Sequence, residues 1–277
     1  MKYETLCLDI TEDCNFKCPW CIQEDVIQGR PHVKGQLTAE AQRKLYEHID
    51  TEEHNMFSFH GGECTLYPEK MLEIMDHIKD KQPKAKLKLF TNGSLLSKSL
   101  VESLNKREVE VCVSVSARGY KDVLHLIEKS NNPTTVIKNI KTLNKYNIRF
   151  VAGKDEGFAY EALYLHTIFE CPIEIDHDYT QFTEWTEEDL KHFEKEVDLL
   201  YKLQNNGWKV YADVMGSRLD ACDCPRMNIH FYTDGRFGRS AKYHAEYKVP
   251  GCSMVHKLLG AEKYKEYYRI LTKYIEV

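Results

Sequence analysis

Apolar residues along this chain fall into short β-type runs separated by stretches of helical spacing. The runs are Thr5–Ile10, Asn55–His60, Leu87–Thr91, Val109–Ser116, Ile148–Ala152 and Ile173–Ile175. Each is short and apolar enough to read as a buried strand. Between them, Pro68 opens a segment in which Met71, Leu72, Met75 and Ile78 share a face, and Pro133 opens another with Ile137, Ile140 and Leu143 at similar spacing. Strands alternating with helices predict βα units around a mainly parallel sheet. Six such runs suit an open partial (β/α)6 barrel of the α/β class better than a closed eight-unit one. Right-handed crossovers then gather the βα loops on one rim, at the carboxyl ends of the strands.

From about Thr186 the pattern changes to one long amphipathic helix, with Leu190, Phe193, Val197 and Leu200 on its apolar side. A turn-rich, cysteine-bearing stretch runs from Ala221 to Cys252, and Tyr264, Tyr267, Tyr268 and Leu271 predict a final helix. The expected division is a catalytic domain over residues 1–215 and a small extension over residues 216–277, since 277 residues suit one main domain with an appendage.

Charge narrows the partners. A formal net charge of -5 gives no general basic field, so general nucleic-acid binding is not expected. No apolar run approaches the roughly 20 residues of a membrane helix, and the amino terminus lacks the apolar segment of a secretory signal. A cytoplasmic location is expected. There, ten cysteines are poor disulfide candidates, and their short spacings point instead to metal or cluster ligation.

The loop after the first strand reads Cys14-Asn15-Phe16-Lys17-Cys18-Pro19-Trp20-Cys21. Thiolates are the usual ligands of iron–sulfur clusters, and three ligands on a cubane of four irons leave one iron open for chemistry. A zinc site completed by His32 is the alternative. His60-Gly61-Gly62-Glu63 ends the second strand, where glycines allow a close approach to backbone and Glu63 supplies an acceptor for an ammonium group. Thr91-Asn92-Gly93 follows the third strand, and Ser114 and Ser116 alternate onto one face at the end of the fourth.

Cysteines at this spacing, followed by Gly-Gly-Glu on the next strand end, resemble the signature of the radical S-adenosylmethionine superfamily. The resemblance spans roughly residues 5–180 and rests on motif order along successive strands. It implies a 4Fe-4S cluster on Cys14, Cys18 and Cys21, whose open iron takes the amino and carboxylate groups of S-adenosylmethionine. It further implies that Glu63, beside Gly61 and Gly62, holds the methionine amino group, and that Trp20 lies near the adenine. Asn92 matches a TNG sequence frequent in relatives, Ser114 and Ser116 the positions that face ribose or carboxylate, and Val151 part of a backbone surface beside adenine. Departures are Cys64 where many relatives have proline, Ala117-Arg118 after Ser116, and Arg149 in place of a glycine. An external one-electron reductant such as flavodoxin or ferredoxin is implied as partner.

Cys222, Cys224 and Cys252, with the run through Tyr232-Thr233-Asp234-Gly235-Arg236-Phe237, resemble a degraded SPASM or twitch extension. A second iron–sulfur cluster, a zinc site aided by His230 and His244, and a cluster-free remnant are all compatible with that pattern. The expected function is reductive cleavage of S-adenosylmethionine to a 5′-deoxyadenosyl radical that abstracts hydrogen from a peptide or small metabolite, with peptide maturation preferred. Cys171 and Tyr179 are candidate donors to a product radical. The first strand begins almost at Met1, so leader recognition is expected to fall to a separate partner or to the extension. Enzymatic alternatives are a nucleoside- or pterin-modifying enzyme and a glycyl-radical-enzyme activase. The non-enzymatic one is a zinc or iron–sulfur binding module.

Overall fold

The computed structural model describes residues 5–18, 21, 35–115, 133–154, 157–177, 184–212, 229–231, 233, 235, 237–239 and 261–272. They form two compact units, one built from Met1–Val113, Thr134–Tyr146 and Cys224–Lys248, the other from Ser114–Pro133, Asn147–Asp223 and Val249–Val277.

In the first unit the elements are β1 (Thr5–Asp9), α1 (Ala39–Thr51), β2 (Met56–His60), a 3-10 turn (Cys64–Leu66), α2 (Pro68–Lys81), β3 (Lys86–Thr91), α3 (Lys98–Lys106), β4 (Glu110–Ser114) and most of α4 (Pro133–Lys141). Strands β1 to β4 pair in parallel in chain order, with Asp9 opposite His60, Phe59 opposite Leu89 and Thr91 opposite Val113. Their side chains alternate. Leu6, Leu8, Phe57, Phe59, Leu87, Leu89, Val111 and Val113 are buried, as are Ala41, Leu45 and Ile49 of α1 and Met71, Ile74, Met75 and Ile78 of α2. Two apolar surfaces of this kind make one layered core. The opposite face carries polar residues, among them Asp9, Ser58, His60 and Lys88.

Proline at N1 starts α2 as expected, but its buried face includes Ile74, while Leu72 is half-buried. In α4, Val136 and Ile140 are the buried positions and Ile137 is half-buried. A return strand absent from the apolar pattern, β8 (Ile229–Phe231), also belongs to this unit. It runs parallel to β1 and turns back into β9 (Phe237–Arg239) as an antiparallel hairpin.

The second unit contains β5 (Tyr146–Ala152), α5 (Phe158–Phe169), β6 (Ile173–His177), α6 (Glu187–Asn205), β7 (Val210–Ala212) and α7 (Ala261–Thr272). Strands β5, β6 and β7 are parallel neighbours, Ile148 facing Ile173 and Ile173 facing Val210. Thr186 and Asp189 form a reciprocal capping box that starts α6, and the predicted apolar positions Leu190, Phe193, Val197 and Leu200 are buried. Phe193 stacks on Tyr267 at 4.9 Å, and Trp185 meets both rings edge-on, which fixes α7 against α6.

Candidate active site

The first predicted motif begins where β1 ends. Thr11 and Asp13 shape this turn: the Asp13 backbone N–H donates to Thr11 Oγ1 at 3.0 Å, and that hydroxyl donates to the Gly35 carbonyl at 2.8 Å. The Asp13 carboxylate accepts the Gly35 N–H at 2.9 Å and the Tyr67 hydroxyl at 2.7 Å. Cys14 follows immediately and is exposed, while Cys18 and Cys21 are half-buried, with the Cys21 N–H donating to the Cys18 carbonyl at 3.0 Å.

The Gly-Gly-Glu segment is fastened to this loop by its backbone. Gly62 N–H donates to the Thr11 carbonyl at 2.9 Å and Glu63 N–H to the Asp13 carbonyl at 2.7 Å. The glycines are required by that approach. A Cβ on Gly61, whose φ is +134°, would lie 2.1 Å from the Thr11 oxygen, and one on Gly62 would lie 2.1 Å from the Asp13 oxygen. The sequence reading placed a ligand against these glycines; the structure places the backbone of the cysteine loop there.

Glu63 is buried at 1 % exposure and held by four donors. Its Oε1 accepts the Thr65 N–H at 3.0 Å, the Thr65 hydroxyl at 2.5 Å and the Thr91 hydroxyl at 2.7 Å, while Oε2 accepts the Asn92 N–H at 2.7 Å. A carboxylate offers about four acceptor positions over two oxygens, so the remaining capacity lies on Oε2. Asn92 extends the network: its Nδ2 donates to Asn15 Oδ1 at 2.9 Å and stands 4.0 Å from Cys14 Sγ. Asn15 Nδ2 in turn donates to Ser94 Oγ at 2.9 Å, and Ser94 donates back to Asn92 Oδ1 at 2.7 Å. Although Cys14 as a residue is exposed, desolvation of its sulfur by the atoms packed around it pushes the thiol above its ordinary pKa, and the charges of Glu63 and Cys21 push the same way.

Cys64, at the position where the expected motif varies, is buried with its thiol donating to the His60 carbonyl at 2.9 Å. His60 itself stacks on Phe90 at 4.4 Å and shares a 2.7 Å hydrogen bond with Ser58. Ser114 is exposed at the end of β4 and Val151 half-buried in β5. Cys171 lies just before β6, at the opposite strand end from Val151, buried with its thiol donating to the Pro172 carbonyl at 3.4 Å. Trp20, His32, Ser116, Arg118, Tyr179, Cys222, Cys224, His244 and Cys252 lie outside the described residues, as does the side chain of His230.

The donor set suits a cluster held by thiolates. None of Cys14, Cys18 and Cys21 is in a disulfide, and Cys14 and Cys21 are within electrostatic reach of each other. Among the described residues no three His, Cys, Asp or Glu side chains gather tightly enough for a single metal ion. Thr11, Asp13, Tyr67 and Ser94 fall in none of the motifs legible in the sequence, because their bonds join segments distant along the chain. One local signal was present: Tyr67 occupies the N-cap of α2, where serine, threonine, aspartate or asparagine is favoured, and makes no capping bond with its side chain.

The model of the Radical SAM superfamily matches residues 8–155, more than half of the chain. This chain belongs to the radical SAM superfamily. No curated protein matches. Among solved structures, a hexahistidine-tagged anSMEcpe with bound AdoMet (S-adenosylmethionine) is similar over 99% of this chain and 84% of its own, at 15% identity and a TM-score of 0.62. Native anSMEcpe with bound AdoMet and the Cp18Cys peptide matches over the same shares at 16% identity and a TM-score of 0.62. SuiB of Streptococcus suis bound to S-adenosylmethionine matches over 95% of this chain and 65% of its own, at 14% identity and a TM-score of 0.60. At such identities the likeness shows the fold, an α/β partial barrel of parallel strands that stays open. Among the described residues no helix is long and apolar enough to cross a membrane.

Proposed function

We propose that this chain is a radical S-adenosylmethionine enzyme that carries a 4Fe-4S cluster on Cys14, Cys18 and Cys21 and acts on a peptide or small-molecule substrate, with a peptide preferred. The observation that carries the reading is Glu63. A buried carboxylate with four donors around it, tied through its own N–H to the residue before Cys14, is an anionic acceptor held beside the cysteine loop. When bound, the reduced cluster supplies the electron that splits S-adenosylmethionine into methionine and a 5′-deoxyadenosyl radical.

The chain's own residues bind and orient. Glu63 takes the ammonium group through Oε2, and Gly61 and Gly62 let the Gly-Gly-Glu segment pack closely enough on Thr11–Asp13 to hold that carboxylate beside the cysteines that would hold the cluster. Asn92 aims its amide toward the Cys14 sulfur, where N–H groups adjust cluster potential. Trp20, Ser114, Ser116 and Val151 are assigned to the adenine, ribose and carboxylate side. The peptide preference draws on the likeness to a structure holding a bound peptide. An external one-electron donor such as flavodoxin or ferredoxin completes the system, Cys222, Cys224 and Cys252 are the candidate ligands of a second cluster, and Tyr179 is the candidate donor to a product radical, since Cys171 is buried at the amino-terminal end of β6, the strand end opposite to the one at which the cysteine and glutamate motifs fall.

Removing the Glu63 charge tests the assignment. In anaerobically reconstituted protein, Glu63→Gln is expected to keep its iron but raise the KM for S-adenosylmethionine on the order of 10- to 100-fold, as loss of a charged hydrogen bond of about 1.5–3 kcal/mol predicts. An unchanged KM contradicts the role given to Glu63.

A further inference from the structure

The cysteine loop is closed at its base by a latch centred on Asp13. Cys14, Cys18 and Cys21 lie on the stretch between Asp13 and Gly35. The carboxylate of Asp13 takes the Gly35 N–H at 2.9 Å, Thr11 Oγ1 holds the Gly35 carbonyl at 2.8 Å, and Thr11 and Gln36 form an antiparallel bridge. Both ends of the stretch are thereby pinned together. The same Asp13 carboxylate takes the Tyr67 hydroxyl at 2.7 Å from the start of α2, and the Asp13 carbonyl takes the Glu63 N–H at 2.7 Å. One residue therefore ties the start of the loop, its end, the Gly-Gly-Glu segment and a helix.

Neither bonded side chain is explained by local structure. A tyrosine at an N-cap leaves its helix without a side-chain cap, and the phenol instead reaches a residue far earlier in the chain. The Tyr67 hydroxyl is the donor in this pair, and the Asp13 carboxylate raises its pKa above the ordinary value.

We propose that Asp13 is a positioning residue that closes the cysteine loop before the cluster arrives, so that Cys14, Cys18 and Cys21 capture and retain iron without first ordering the chain between them. The inference rests on the cluster reading above. Closing a loop costs entropy, and a latch made in the metal-free protein removes that cost from binding. Tyr67 orients Asp13, and Gly35 is the point it holds.

Two measurements test this on the full chain. In metal-free protein, hydrogen exchange at the Gly35 amide is expected to be slow in wild type, on the order of 10-fold faster in Asp13→Ala, and close to wild type in Asp13→Asn, whose side-chain carbonyl still accepts the amide. After anaerobic reconstitution, a ferrous-iron chelator is expected to strip Asp13→Ala on the order of 10-fold faster than wild type, with Asp13→Asn and Tyr67→Phe in between. Arg107→Ala, which removes a pair with Asp76 and a bond to the Ser103 carbonyl, serves as the comparison and should lose iron at the wild-type rate. Equal exchange in wild type and Asp13→Ala overturns the latch. So does an Asp13→Ala protein that retains iron as wild type does, or an Arg107→Ala protein that loses it as fast as Asp13→Ala. Iron retained equally by the Cys14/Cys18/Cys21→Ala variant instead overturns the cluster reading, which the Gly35 exchange does not depend on.

Discussion

Gly62 shows how one missing atom sets the geometry of the site. Its Cβ would lie 2.1 Å from the Asp13 carbonyl oxygen and 2.5 Å from that of Glu12, and neither obstacle is a flexible side chain. Gly62→Ala must therefore push the Gly-Gly-Glu segment and the cysteine loop apart. Since a displacement of about 1 Å near reacting groups can cost on the order of 100-fold in rate, the variant is expected to stay folded by circular dichroism and lose deoxyadenosine formation by about that factor. Wild-type activity in Gly62→Ala would show that the contact has no role. At this scale the sequence offers candidates wherever chemistry and spacing coincide, as in Cys14, Cys18, Cys21 and Glu63. It marks Tyr67 only as an unusual N-cap residue and does not pair it with Asp13, because their bond spans from the end of β1 to the start of α2 and nothing in the local pattern of either residue announces the other.

The elements were legible to the extent that burial has a period. The 3.6-residue spacing along α6 named its buried residues, whereas the face of α2 is turned toward Ile74 because helices pack along a stripe wider than one row. The hairpin β8–β9 was not visible as strands: its members are three residues each, and β8 pairs with β1 across almost the whole chain. A pH effect also belongs to an element, the end of α1. His48 and His54 face each other with their Nε2 atoms 3.0 Å apart, an arrangement that needs one ring to donate and the other to accept. Burial lowers the pKa of His48, so the folded state disfavours its protonation. The unfolded chain then binds protons more readily, and this contribution to stability is complete above the ordinary histidine pKa of about 6.5 and lost as pH falls through the lowered folded value. The melting temperature is expected to fall from pH 7 to pH 5, and less steeply in His48→Gln. Parallel profiles for the two proteins would remove His48 as a cause.

At the scale of the molecule, the first unit is assembled from stretches far apart in the chain, with Cys224–Lys248 returning to join Met1–Val113. The return is anchored beside the cysteine loop: the Thr233 hydroxyl donates to the buried Glu12 carboxylate at 3.3 Å, and Gly235, at φ +81°, sits against Ala41 of α1. Chain order carries no record of such a return. The parallel βα plan, by contrast, was readable because each unit repeats its own hydrophobic signature and parallel neighbours need a crossover helix between them. What that plan accomplishes is to bring the ends of β1, β2 and β3 together so that Cys14, Glu63 and Asn92 form one network, on which the functional reading depends. Its most direct test is a reductant-dependent assay for 5′-deoxyadenosine in anaerobically reconstituted wild type and in the Cys14/Cys18/Cys21→Ala variant. Product from wild type alone is the predicted result; no product from iron-loaded, reduced wild type, or equal product from the variant, would contradict the account.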